Sequence, residues 1–296
     1  MSIHNNTLKL EGLKAIARAL PDFTYGEYNV ENNDSGGQTY DISIDTEESL
    51  EKVFHGDGYD DIVINLPNVE YLRDYSFYYC TTNIKELNAP KLTTIGKMAF
   101  YNCSLSLSSL PKGLKEISAS AFANSSLAIT SLPEGLTKID SNAFDHCGSL
   151  ALTSLPNGLR EIEAYAFNYC DNLTLTSLPE NLAYLRQGAF YMCKKIALTS
   201  IPLQIWSIAV KTFYGCDGIE KMEFHAGIIE INDYAFQACK NLKEITFKGK
   251  PGSISSFAFT GCTNLKTINV PWSEGEVANA PWGAIYPTIN YDYTGE

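Results

Sequence analysis

The sequence predicts an elongated solenoid, mainly β or α/β, in which nine coils are held between an N-terminal cap and a C-terminal lid. Three observations predict it. A phenylalanine recurs as Phe77, Phe100, Phe122, Phe144, Phe167, Phe190, Phe213, Phe236 and Phe259, at spacings of 23, 22, 22, 23, 23, 23, 23 and 23 residues. Three positions after it stands a cysteine in eight copies, Cys80, Cys103, Cys147, Cys170, Cys193, Cys216, Cys239 and Cys262, with Ser125 in the remaining one. Residues 1–61 and 271–296 lack this period. A short fixed period that returns one large apolar side chain to one place describes stacked coils, each burying its face only against its neighbours. The 296 residues then form a single body, because such a core grows in one dimension.

Residues 1–61 read as a small mixed α/β cap. Leu13, Ile16, Ala17 and Leu20 follow helical spacing and stop at Pro21, whereas Tyr40, Ile42 and Ile44 alternate as in a strand. Residues 29–38 between them are polar and turn-rich, hence a loop. Asp45 followed by Glu48 makes a capping box ahead of Leu50, Val53 and Phe54, which predicts a second short helix. The cap covers the backbone and side chains that a first coil leaves open.

Residues 62–270 form the solenoid proper. In the coil from Cys147 to Phe167, Leu150 and Leu152 alternate with Ala151 and Thr153, which places a short strand there with its leucines inward. Pro156 then turns the chain; Pro at the second position and Gly at the fourth suit a type I turn, and the same arrangement follows Pro111 and Pro133. After Pro179 the Gly becomes Asn181, the residue that best tolerates positive φ after Gly. Leu159 and Ile162 point inward again and lead to Ala166 and Phe167, so one coil supplies about six apolar side chains to a continuous core.

Charge and cysteine placement exclude several function classes. The net charge is -12, and residues 1–60 carry 12 acidic and 4 basic side chains against 22 and 18 in the rest. No basic stripe exists to displace counterions from phosphates, which argues against nucleic acid and an anionic membrane surface. Each Cys lies at least 23 residues from the next and no His keeps step with them, unlike the close ligand pairs of a zinc site. The cysteines are expected as a stacked column of reduced core thiols. His4, His55, His146 and His225 share no repeat position, and no nucleophile–base constellation or phosphate loop is present. Gly56, Asp57, Gly58, Asp60 and Asp61 read as a solvated turn, since they lack the spacing of a calcium loop. The expectation is therefore a non-enzyme with no cofactor and no metal.

The pattern Leu-x-x-Ile-x-x-x-Ala-Phe-x-x-Cys-x-x-Leu, with Pro closing the strand, resembles the BspA-like leucine-rich repeat family over roughly residues 62–270. That resemblance implies a right-handed leucine-rich-repeat solenoid. It also implies a recognition scaffold, since many members are bacterial cell-surface proteins, adhesin-like, that bind host or neighbouring-cell proteins. The partner expected is a protein or glycan, with no membrane insertion. The N-terminus shows no export signal and the chain no wall-anchoring motif or membrane-length apolar run. A surface or secreted location accordingly requires a leader already removed, and the alternatives are cytoplasmic or virion-associated. The tail after Val270 is similar to those of leucine-rich-repeat proteins of gut bacteria and their prophages, which keeps a phage tail or virion component as the alternative function. Trp272 and Trp282 in that tail are expected to pack over the last coil.

Two surface stripes are candidate binding sites. The first is aromatic and flanks the repeat Phe: Tyr101, Tyr165, Tyr169, Tyr191, Tyr214 and Tyr234, with Tyr75, Tyr78 and Tyr79 at its start. Tyrosine offers contact area and a hydrogen bond at low entropic cost, so a row of them suits protein recognition. Lys194, Lys195 and Lys211 would give it a polar rim. The second is a hydroxyl pair in five successive coils, in which Ser108-Ser109 is followed by Thr130, Thr153, Thr176 and Thr199, each with a Ser after it. Regular threonines can bind glycans or ice, but here they are expected to serve as sheet residues that stabilise parallel strands.

Overall fold

The computed structural model describes residues 30–32, 38–43, 62–80 and 83–295. The two expected N-terminal helices, Ile44 and the turn at Gly56 to Asp61 lie outside them. Among the described residues there is no helix, and the array is a parallel β-solenoid. Gln38–Ser43 is a strand where Tyr40 and Ile42 alternate, and it pairs in parallel with Ile62–Asn65, joining the cap sheet to the first coil. Val30–Asn32 is also a strand, antiparallel to Gln38–Ser43. Within the loop expected over residues 29–38, Val30–Asn32 and Gln38 thus stand in paired strands.

Each central coil has its strand just before the Phe turn. Tyr71–Leu72, Thr94–Ile95, Glu116–Ile117, Lys138–Ile139, Glu161–Ile162 and Tyr184–Leu185 form one six-stranded parallel sheet. Its registered partners Ile95, Ile117, Ile139, Ile162 and Leu185 all point inward. Ser207–Ile208, Glu230–Ile231 and Ser253–Ile254 form a separate three-stranded sheet. Lys221–Phe224, Glu244–Phe247, Thr267–Asn269 and Thr288–Asn290 make a further parallel sheet.

The strand expected at residues 150–153 is absent, and its side chains show why. Leu152 and Leu155 are buried while Thr153 and Ser154 between them both face out. Two consecutive outward side chains break the period of two that a pleated strand requires. One backbone bond per coil remains there, such as Thr174 N–H to Leu152 O at 3.0 Å. Where the alternation is strict, as in Lys221–Phe224 and Glu244–Phe247, the ladder forms.

The proline turns are also placed differently. Leu159 N–H donates to Pro156 O at 3.0 Å, and the same bond closes the turns at Pro111, Pro133, Pro179 and Pro202, so Pro is the first residue of each. Neither Gly158 nor Asn181 takes a positive φ. Gly158 is suited to close stacking instead, since a Cβ there would lie 3.3 Å from Glu134 O in the coil before. The left-handed positions lie elsewhere, two residues before and two after the Phe. In the coil of Phe167 they are Tyr165 (φ 57) and Tyr169 (φ 54). These two reversals take the chain out of its strand within three residues and around the ring.

The nine repeat phenylalanines are fully buried in one column, with successive ring centroids 5.0 to 5.9 Å apart. All eight cysteines are buried free thiols beside it. They do more than fill space. The Cys193 thiol donates to Phe167 O in the preceding coil at 2.9 Å, and Cys103, Cys147, Cys170, Cys216, Cys239 and Cys262 repeat that bond. A buried carbonyl needs its acceptor capacity met, and the thiol meets it without adding polar bulk. At the far end Trp272 and Trp282 are buried against Phe247 at 5.2 and 6.2 Å, and Phe259 N–H donates to Trp282 O at 3.0 Å. Both tryptophans close the core as expected.

Candidate functional site: an aromatic ridge and an apolar sheet face

The ridge is built on the Phe turns. The residue after Phe projects outward, and its carbonyl accepts a bond from the coil before: Tyr169 N–H reaches Tyr191 O at 2.9 Å and Met192 N–H reaches Tyr214 O at 2.7 Å. Successive side chains are thereby held in register. Tyr191 and Tyr214 stack at 4.5 Å with planes 12° apart, and Tyr169 meets Tyr191 at 5.8 Å. His146 stacks on Tyr169 at 4.7 Å and extends the row by one coil. All three tyrosines are half-buried. Burial, then the neighbouring Tyr214 and Tyr169, pushes the Tyr191 phenol up from its ordinary value.

Tyr165 contacts Tyr191 at 6.3 Å and also packs on the next coil. Its ring fills the space over Gly188 in the next coil, and Gln187 Nε2 donates to its hydroxyl at 2.8 Å. Tyr101 belongs to a second cluster with Tyr75, Tyr78 and Tyr79, centred on the Tyr78–Tyr101 stack at 5.3 Å. Ala123, Asp145 and Asn168 occupy the same column between the clusters and interrupt the row. Tyr234 stacks on Phe257 at 5.4 Å with Lys211 6.0 Å from its ring. Lys194 pairs with Asp171 at 3.2 Å and Lys195 donates to Asn172 at 2.6 Å, so the rim charges are tied between coils.

The hydroxyl stripe is exposed but is no sheet. Thr130, Thr153, Thr176 and Thr199 face solvent in the kinked segments described above, so their expected part in strand pairing does not hold. Thr199 borders a depression of about 460 Å³ that also touches Lys221, Glu223 and Glu244. Among the described residues no His, Cys, Asp and Glu group could hold a metal, and no helix is long and apolar enough to cross a membrane.

A third surface escaped the sequence reading. Tyr184, Leu203, Trp206 and Ile229 are exposed by 48%, 70%, 60% and 56% on the strand side of adjacent coils. Ile229 N–H donates to Trp206 O at 2.7 Å, which fixes those two coils side by side. The signal was available in the column just before the strand, which reads Thr93, Lys115, Thr137, Arg160, Ala183, Trp206, Ile229 and turns from polar to apolar. The sheet is interrupted at the same place. Among the described residues no backbone hydrogen bond joins residues 183–186 to 206–209, and Phe190 to Phe213 is the widest step of the ring column.

Stacked parallel coils around an apolar column, with exposed side chains carried in columns outside it, define a leucine-rich-repeat scaffold, a class whose role is binding. The chain matches the BspA type leucine rich repeat region over residues 70–197 and 160–280, and it belongs to that family. Such scaffolds are typically non-enzymatic. Solved structures of similar fold are bacterial. A leucine-rich repeat protein from Bacteroides ovatus ATCC 8483 is 20% identical at a TM-score of 0.62, over 91% of this chain and 76% of that one. A leucine rich cell surface protein from Faecalibacterium prausnitzii A2-165 is 20% identical at 0.47, over 93% and 95%. Pneumococcal vaccine antigen PcpA is 13% identical at 0.45, over 89% and 96%. At these identities the first likeness shows the fold alone. Comparison with curated proteins finds no match.

Proposed function

We propose that the chain is a non-enzymatic, adhesin-like recognition scaffold that binds a protein partner on the ridge of Tyr169, Tyr191 and Tyr214. The observation that carries this reading is the stacked, half-open Tyr191–Tyr214 pair with Tyr169 against it. Binding energy concentrates in a few Trp, Tyr and Arg side chains, and rings already stacked lose little freedom when a partner covers them. The rival stripe of Thr130, Thr153, Thr176 and Thr199 presents free hydroxyls, which seldom act as anchors. The family supports a cell-surface or secreted setting, where host or neighbouring-cell proteins are the partners.

The test begins with the full chain on an array of extracellular protein domains and a glycan array. Affinities of Tyr191→Ala and Tyr214→Ala are then measured beside Thr176→Ala and Thr199→Ala. Each tyrosine change should weaken binding at least fivefold, on the order of 1 kcal/mol, and the threonine changes should not. Loss of binding in the threonine variants alone would move the site to the hydroxyl stripe.

A further inference from the structure

We propose that the strand-side face around Trp206 is a two-fold contact between two copies of this chain. Its size fits. At the stated exposures, Tyr184, Leu203, Trp206 and Ile229 present on the order of 450 Å² of apolar side-chain surface, taking ~250 Å² for a whole Trp and ~100–200 Å² for the others. A standard interface takes about 800 Å² from each partner, of which roughly 57% is apolar, and the two figures agree.

The lack of charge on this face suits a second copy. Copies of a chain with a net charge of -12 repel, and a two-fold contact sets the patch against itself, so a face poor in charge avoids like-charge pairs near the axis. Earlier coils fill these columns with Lys115, Glu116, Lys138, Arg160 and Glu161. From Ala183 to Ser253 the same two columns hold one charge, Glu230, and it already accepts from the Ser207 hydroxyl at 2.7 Å. Arg186, just beyond, lies over the Tyr184 ring at 4.9 Å and within 3.8 Å of Glu163. Glu180 stands at the rim beside Leu203.

The experiment is sedimentation of the full chain from ~1 to ~100 μM, a range in which interfaces of this size associate. The wild type should sediment at twice the chain mass at the upper end. Trp206→Glu and Leu203→Glu, each placing a carboxylate in the apolar face, should raise the dimer dissociation constant at least tenfold with the circular dichroism spectrum unchanged. Tyr191→Ala, on the other ridge, should leave the dimer intact. Leu203 lies at a turn tip, so its variant decides the matter even if Trp206→Glu fails to fold. A wild type that stays monomeric at ~100 μM overturns the proposal, as does a dimer that survives Leu203→Glu. A dimer lost with Tyr191→Ala instead moves the contact to the ridge and overturns it equally.

Discussion

Alkaline pH should unfold this protein through its thiol column. Burial is the leading cause that pushes up the thiols of Cys103, Cys147, Cys170, Cys193, Cys216 and Cys239 from an ordinary value of 9.0, that of Cys147 to about 12. A thiol held protonated in the folded state and free to ionise in the unfolded one contributes stability that is complete below pH 9. That stability drains away as pH rises between the unfolded and folded values. At pH 10 the unfolded chain gains about 1.4 kcal/mol per thiol, so six thiols shift the balance by roughly 8 kcal/mol. A domain typically has 5–15 kcal/mol in all, so the loss reaches the scale of the whole fold. The assay is the urea midpoint followed by circular dichroism from pH 7 to pH 10 in reductant, with ultraviolet thiolate absorbance recorded on the same samples. The midpoint should hold to about pH 8.5 and then fall steeply, with most of the thiolate signal appearing as structure is lost. Cys193→Ala should flatten the slope by about one sixth. A midpoint unchanged between pH 8 and pH 10 would refute the reasoning.

Two further changes test the packing. Phe167→Ala removes a ring stacked between Phe144 and Phe190 at 5.3 and 5.4 Å and should cost about 3–5 kcal/mol, whereas exposed Thr153→Ala should stay within about 0.5. Equal denaturation midpoints for the two would show that the core is elsewhere. Gly188→Ala puts a Cβ into the Tyr165 ring at φ +60 and should cost about 1–2 kcal/mol. Adding Tyr165→Ala should remove the steric share, so strictly additive losses in the double variant would sink that account.

The inward columns were legible in the sequence because they obey a single rule. Phe, Cys, Leu and Ile return at one period, and the structure buries all of them. The strand of the central coils was misplaced for a physical reason: residues 150–153 alternate over four positions, and only Ser154 shows that the alternation then fails. The true strand is two residues long, too short to show any period, and is recognised only from its partners at 22 and 23 residues' distance. The left-handed positions hid behind side-chain variety. Met98, Ser120, Asn142, Tyr165, Gly188, Lys211 and Tyr234 share one backbone conformation, and only Asn142 and Gly188 announce it. Tyr191 and Tyr214 could be placed side by side because they hold the same column in adjacent coils. The packing of Tyr165 over Gly188 could not be read in the same way, because that contact crosses columns.

The three tryptophans separate what folding requires from what it leaves over. Trp272 and Trp282 are buried, and an open solenoid end needs large apolar side chains to cover it, so the fold accounts for both. Trp206 is 60% exposed in a column that tolerates Lys115, Thr137 and Arg160 without disturbing the coil. The repeat therefore does not need it there. An exposed Trp favours association and lowers solubility, and beside Leu203 and Ile229 it makes a patch rather than a lone exception. In a scaffold whose inward positions are fixed by stacking, a large apolar residue at an outward position has to be explained by what comes to cover it. The same argument applies more weakly to Tyr191 and Tyr214, since stacking on each other already buries part of each ring. The strand-side face thus owes less to the fold than the tyrosine ridge does, although the ridge is the one the repeat pattern makes easier to see.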